Sequence, residues 1–280
     1  MFLDALLDTL TDGLKLLPFL FGVYLIIEFI EDRAEDRTVE LIHRAGRWGP
    51  VAGAALGVVP QCGFSAAVSN LYAGGLITRG TLLAVFLSTS DEMLPILISG
   101  GAPGTFIGKV LLFKALSGVL VGTAVDTVEK RRGRSRTLHE LCEQEDCHCE
   151  DGIFKSALRH TLKIFAFILA VSFVMNLIVS AVGQDRLGQL ILNRPVIGEV
   201  LAGIIGLIPN CAASVVLTGL YLQGAMSAGA MLSGLLVGSG VGLLVLLRMN
   251  KNAGDNILTV GILYGSGVVL GCLADAFGLF

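Results

Sequence analysis

Two short stretches decide how this chain folds: Val59-Pro60-Gln61-Cys62-Gly63-Phe64-Ser65 and Ile208-Pro209-Asn210-Cys211-Ala212-Ala213-Ser214. They stand 149 residues apart and share one order of chemistry: apolar residue, proline, amide, cysteine and, three residues on, serine. Extending that offset without gaps over 53–126 makes 18 of 74 positions identical. The matches include Gly57/Gly206, Tyr72/Tyr221, Ser90/Ser239, Asp126/Asp275 and Ser117-Gly118-Val119 against Ser266-Gly267-Val268. Leucine, glycine and alanine match by chance in two apolar chains. Proline, cysteine, tyrosine and aspartate are rare here and still keep register, so the sequence reads as an internal repeat.

Working outward, the solvent of this chain is lipid. Of its 280 residues, 54% are hydrophobic and only 15% charged, and mean hydropathy is +0.77. A soluble domain carries nearer a quarter charged residues. The 36 glycines fit the same reading, because small residues let membrane helices pack closely. Apolar runs lie at about 14–30, 50–59, 63–77, 81–99, 105–125, 155–182, 196–208, 212–226, 228–247 and 256–278. Spanning takes roughly 20 helical residues. The runs flanking Pro60 and Pro209 are too short to span comfortably. Half-helices of 10–15 residues reach about 15–22 Å, so re-entrant hairpins with tips near the midplane are favoured over pairs of short spans.

Each half then holds five apolar segments, and an odd number of crossings inverts the second half relative to the first. Inverted repeats are a transporter signature. The basic residues agree. With the N-terminus outside, inside loops carry Arg33, Arg37, Arg44, Arg47, Arg79, the cluster at 130–136, Lys155, Arg159, Arg248 and Lys251. Outside loops carry little beyond Arg186 and Arg194. That is a strong positive-inside bias. The expected architecture is an all-α polytopic membrane protein of two inverted-topology repeats with proline-broken or re-entrant half-helices. Residues 1–126 form the first repeat, 127–153 a cytoplasmic charged Cys/His linker and 154–280 the second repeat. The expected location is the inner (plasma) membrane, with both termini outside.

The chemistry is expected at the breaks. Non-helical backbone at membrane depth survives only inside protein or along a watery cavity. There the two tips offer soft thiols from Cys62 and Cys211, amides from Gln61 and Asn210, and hydroxyls from Ser65 and Ser214. Soft thiolates suit thiophilic species, and carboxylates suit harder ions. Ser88-Thr89-Ser90-Asp91-Glu92-Met93-Leu94-Pro95 places two adjacent acids in the middle of an apolar run. Each costs a few kcal/mol at the bilayer centre, so they imply a cavity, a bound cation or bound protons; an ion pair with Lys114 or Lys109 is the alternative. The candidate metal ligands are thus Cys62, Asp91, Glu92 and Cys211. Ser90 and its repeat partner Ser239 are supporting polar groups. Glu28, Glu199, Asp126 and Asp275 lie near helix ends and are expected at the interface, while Lys109 and Lys114 are expected to snorkel. In the linker, Cys142, Cys147, His148 and Cys149 among acids suggest a loose soft-metal site.

Several functions are excluded. No phosphate-binding Gly-x4-Gly-Lys-Ser/Thr loop is present, so no built-in ATPase. No basic face suits nucleic acid. A cysteine nucleophile would lack an activating histidine, since His43, His139, His148 and His160 lie in loops or near a helix start, so no enzyme is expected. The Pro-Gln-Cys-Gly-Phe-Ser and Pro-Asn-Cys-Ala-Ala-Ser pair, the Ser-Thr-Ser-Asp-Glu-Met-Leu-Pro segment and the Cys/His loop running into Gly152-Ile153-Phe154-Lys155 resemble the ten-transmembrane heavy-metal exporters. That family is related to arsenic efflux permeases, and some of its members are labelled manganese transporters. The resemblance implies a secondary efflux permease for a transition metal or metalloid, proton-coupled on the reading of the acids above. No resident cofactor is expected, only the transported metal ion. Expected partners are the lipid bilayer and the substrate, with a homo-oligomer left open. A permease for a small organic or sulfur-containing anion, whose charge the half-helix N-termini would bind, and a structural membrane protein are the alternatives.

Overall fold

In a computed structural model of the chain, the structure describes residues 48–59, 62–90, 92–131 and 196–280, with isolated helical positions between 17 and 25 and between 154 and 174. Among the described residues all regular structure is α-helical. Lipid leaves no alternative to satisfying backbone groups within the segment. The first half contributes α1 (Gly49–Gly57), α2 (Cys62–Ala73), α3 (Arg79–Ser88), α4 (Met93–Ser99) and α5 (Gly104–Arg131). The second contributes α6 (Ile197–Gly206), α7 (Cys211–Leu222), α8 (Ala228–Val237), α9 (Val241–Met249) and α10 (Ala253–Ala276). At the 149-residue offset, α2 and α7 share both ends, and so do α3 and α8.

The local signals repeat as well. Gly75 (φ 71°) and Gly224 (φ 72°) take the left-handed conformation just past α2 and α7. The Leu76 amide donates back to Leu71 O and the Ala225 amide to Leu220 O, the six-to-one bond that closes a helix C-terminus. Thr78 then caps α3 by accepting the Thr81 amide, and Ser227 caps α8 by accepting the Ala230 amide, both at 3.1 Å.

Four stretches are long and apolar enough to cross a bilayer: Arg79–Ser99, Gly104–Glu129, Ala228–Met249 and Ala253–Ala276. Two of them are not single helices. The apolar runs 81–99 and 228–247 read as unbroken in the sequence, yet each splits, into α3 and α4 about 89–92 and into α8 and α9 about 238–240. α3 lies buried along its whole length, and α8 from Gly229 onward. α3 packs between α1 and α5, and α8 between α6 and α10. The outer helices present Leu112, Leu116 and Leu120 of α5, and Ile257 and Val269 of α10, at the surface. In a bilayer that apolar exterior meets acyl chains.

The halves are knitted together by exchange. α2 packs on α9, and α7 packs on α4. α5 and α10 run antiparallel: Glu129 near the end of α5 and Asp255 near the start of α10 both bind Arg79. At the opposite end, Phe106 and Phe113 of α5 meet Phe280, just past α10, with ring centroids 5.9 and 5.6 Å apart.

Candidate functional site

Each half places one helix break against another. α1 passes so close to α3 that a Cβ at Gly57 would strike Ser88 Oγ and Val85 O. Gly206 meets Gly234 O in the same way in the second half. The chain leaving α1 therefore lies beside the chain leaving α3, and Ser90 Oγ joins them by donating to Val58 O at 2.6 Å. The breaks of opposite halves are also neighbours. Ser65, one turn into α2, abuts Gly242 at the start of α9, where a Cβ would come within 2.7 Å of the Ser65 Cβ. Ser69 fastens this contact, its hydroxyl reaching Gly242 O at 2.8 Å and Ser65 O at 2.7 Å. The starts of α2 and α9 thus adjoin, and α7 packs on α4.

Most predicted polar groups with described side chains are buried. Ser65, Ser90 and Ser239 are buried at 0%, 1% and 1% exposure, and Asn210, Cys211 and Ser214 are also buried. Glu92 is partly buried just before α4. Asn210 caps α7 by accepting the Ala212 amide at 3.2 Å. Ser239 differs from its repeat partner: its Oγ is buried with no hydrogen-bond partner, and Thr218 Oγ1 on α7 shares that condition. Gln61, Asp91, the side chain of Cys62 and the linker residues Cys142, Cys147, His148 and Cys149 lie outside the described residues. Among the described residues no three His, Cys, Asp or Glu side chains group so as to hold a metal ion; of the four candidate ligands only Glu92 and Cys211 enter that count.

Several polar side chains depart from their expected places. Lys114 does not snorkel: it is 1% exposed, and its Nζ donates to Leu235 O of α8 at 2.5 Å. That bond ties α5 of one half to α8 of the other. Glu199 is buried at 2% exposure instead of interfacial. Asp275 closes its helix as expected, whereas α5 continues past Asp126 to Arg131; each also takes the second amide of a neighbouring helix: Gly80 N on α3 at 2.8 Å and Gly229 N on α8 at 2.6 Å. A carboxylate there offsets the positive end of the helix dipole.

Arg79, read from sequence as an inside-loop charge, is 4% exposed. Its guanidinium pairs with Glu129 and Asp255 and its Nε donates to the Tyr72 hydroxyl at 3.2 Å. Tyr72 donates to Asp255 at 2.8 Å, and Asn250 donates to both Asp255 and Asn256. This buried network joins α2, α3 and α5 of one half to α10 of the other. Its counterpart carries no charge. Tyr221 stands where Tyr72 does, but it stacks on Phe106 with centroids 5.2 Å apart. The signal was in the repeat itself: offset by 149, Asp255 falls on Phe106 and Arg79 on Ala228.

Comparison with known proteins agrees with this architecture. The family model described as "Putative, 10TM heavy-metal exporter" matches residues 3–186, well over half the chain. No curated protein and no solved structure matches. A helical chain with apolar spans, interrupted at buried polar residues and matched over that length, belongs to the ten-transmembrane heavy-metal exporter family.

Proposed function

We propose that this protein is a secondary exporter of a transition-metal or metalloid ion, working across the inner membrane in exchange for protons. The observation that carries the reading is the pair of interrupted spans, at 89–92 and 238–240, each with a buried serine at the break. Ser239 Oγ has no partner of its own. A buried hydroxyl without a partner costs about 1–3 kcal/mol, so it marks a place where polar cargo can repay that cost. Around it we assign Gln61, Cys62, Ser65, Ser90, Asp91, Glu92, Asn210, Cys211, Ser214 and Ser239 to the substrate pathway, with Cys62, Asp91, Glu92 and Cys211 as metal ligands. Thiol and carboxylate donors together suit a borderline metal ion. Cys142, Cys147, His148 and Cys149 would capture metal on the cytoplasmic side.

We read the two halves, 1–126 and 154–280 about the linker 127–153, as inverted repeats. Two contacts support this. Tyr72 bonds Asp255, and Tyr221 stacks on Phe106, the same two positions with the halves exchanged. That exchange is what a twofold axis between the halves produces. The antiparallel course of α5 and α10 supports an axis in the membrane plane, the arrangement in which one half rocks against the other.

Asp91 and Glu92 supply the negative charge in this scheme. Replacing both, as Asp91→Asn with Glu92→Gln, is expected to abolish metal efflux from sealed vesicles while thermal unfolding in detergent stays near wild type. A panel of manganese, zinc, cadmium and arsenite salts beside small organic anions identifies the cargo class. Unchanged metal flux in the double variant, or flux of the anions alone, would overturn the assignment.

A further inference from the structure

The described helices include two groups of three, and a buried ion pair crosses between them at one end. α1, α3 and α5 pack on one another, and so do α6, α8 and α10. Between the groups the packing runs along α3, which lies against α8 and α10. Arg79 opens α3, and Asp255 is the third residue of α10. Their side chains pair across the junction, and both are 4% exposed. Tyr72 of α2 spans the same junction: its hydroxyl accepts from Arg79 Nε at 3.2 Å and donates to Asp255 Oδ2 at 2.8 Å.

Each of these two charges has a second partner on its own side. The other guanidinium arm of Arg79 holds Glu129 of α5, within its own group. Glu129 is 22% exposed, which puts it in reach of water. Asp255 accepts from Asn250 Nδ2 at 2.7 Å and lies in the first turn of α10, where the positive end of the helix dipole favours a carboxylate. A buried ion left alone is costly. Separating the two groups at this end leaves neither ion alone. Arg79 departs with Glu129, Asp255 stays with Asn250, and the water that enters solvates both. A closed end cannot spare the pair; an open end can. The equivalent position at the opposite end is Phe106, which meets Tyr221 and Phe280 by ring contact.

We propose that the Arg79–Asp255 pair is a releasable latch between the two helix groups, and that its parting opens the exporter on the cytoplasmic side. The first clause rests on the contacts above. The second rests on the exporter reading, with this end inside as the positive-inside bias puts it.

Hydrogen exchange of the full-length protein in vesicles, read peptide by peptide, tests the latch. Asp255→Asn removes the charge on one side of the junction while leaving Arg79 its Glu129. The expected result is exchange about tenfold faster at 76–82 and 250–256, and unchanged or slower at 102–107 and 277–280, because local opening alone is eased. Arg79→Lys keeps the charge but loses the two-armed grip, and is expected to give a smaller rise at the same places; it decides the matter should Asp255→Asn fail to fold. Wild-type exchange at 76–82 and 250–256 in the variant that folds overturns the latch. An equal rise at both ends also overturns it, because that marks a bridge that only stabilises. Manganese, zinc, cadmium and arsenite salts, added to the wild type beside a flux assay, test the gating. An ion that is exported is expected to shift exchange at the two ends in opposite directions; shifts of one sign, or none, overturn the second clause. Export of none of these ions counts against the exporter reading and leaves the two variants to decide the latch.

Discussion

Ser90 and Ser239 stand at matching positions 149 residues apart, and their surroundings give them opposite energetics. Ser90 donates to Val58 O, so Ser90→Ala is expected to lower stability by about 0.5–1.5 kcal/mol, the net worth of one hydrogen bond. Ser239 Oγ has nothing to lose. Ser239→Ala removes a buried, unpaired hydroxyl and is expected to hold or raise the unfolding midpoint while weakening metal uptake. Detergent-solubilised thermal unfolding and metal titration of the two variants side by side check both signs. The burial of Ser65, Ser90, Asn210, Cys211, Ser214 and Ser239 was legible from chemistry, because amides, thiols and hydroxyls near proline breaks are conspicuous in an apolar chain. Glu199 and Lys114 were not. Each lies where sequence alone allows a long side chain to reach headgroups, and it is the packing of α6 on α10 and the bond from Lys114 to Leu235 O of α8 that draw them inward.

Among the elements, the break at Pro209 was legible and those at 89–92 and 238–240 were not. A proline inside an apolar run suggests a kink in one helix. Pro95 is instead the third residue of α4, in the first turn, where a missing amide costs nothing. It marks a new helix start. The second interruption carries no proline at all; Gly240, at φ 54°, turns the chain. Packing between elements depends on glycines in the same manner. A Cβ at Gly80 would strike Gly122 O and at Gly229 would strike Gly271 O. Gly80→Ala and Gly229→Ala are therefore each expected to destabilise by about 1–3 kcal/mol, the usual cost of overpacking. The network about Arg79 makes a sharper forecast. Arg79→Gln strands Asp255, 4% exposed, and is expected to cost about 3–5 kcal/mol. Arg79→Met combined with Asp255→Leu is expected to recover much of that loss, because a buried pair replaced by packed apolar groups is often neutral. Chemical unfolding in detergent reads both.

At the scale of the molecule, the family was legible in motifs confined to the breaks and the linker, while the 18 identities suggested matching halves. What the identities could not convey was how the halves grip each other. Aligned residues report what the halves share, whereas the grip comes from what they do not: Asp255 against Phe106 and Arg79 against Ala228. One end of the bundle is thereby held by buried charges and the other by Phe106, Phe113, Tyr221 and Phe280. Cold weakens both kinds of contact: apolar association loses strength on cooling, and the cost of stripping water from charges rises as temperature falls. Chilling the protein should loosen both ends of the bundle. A transporter so fastened carries a built-in thermometer: its resting posture at low temperature differs from that at high temperature, and thiol-labelling rates at cysteines placed beside each end, relative to a free thiol, would both rise across a cooling series.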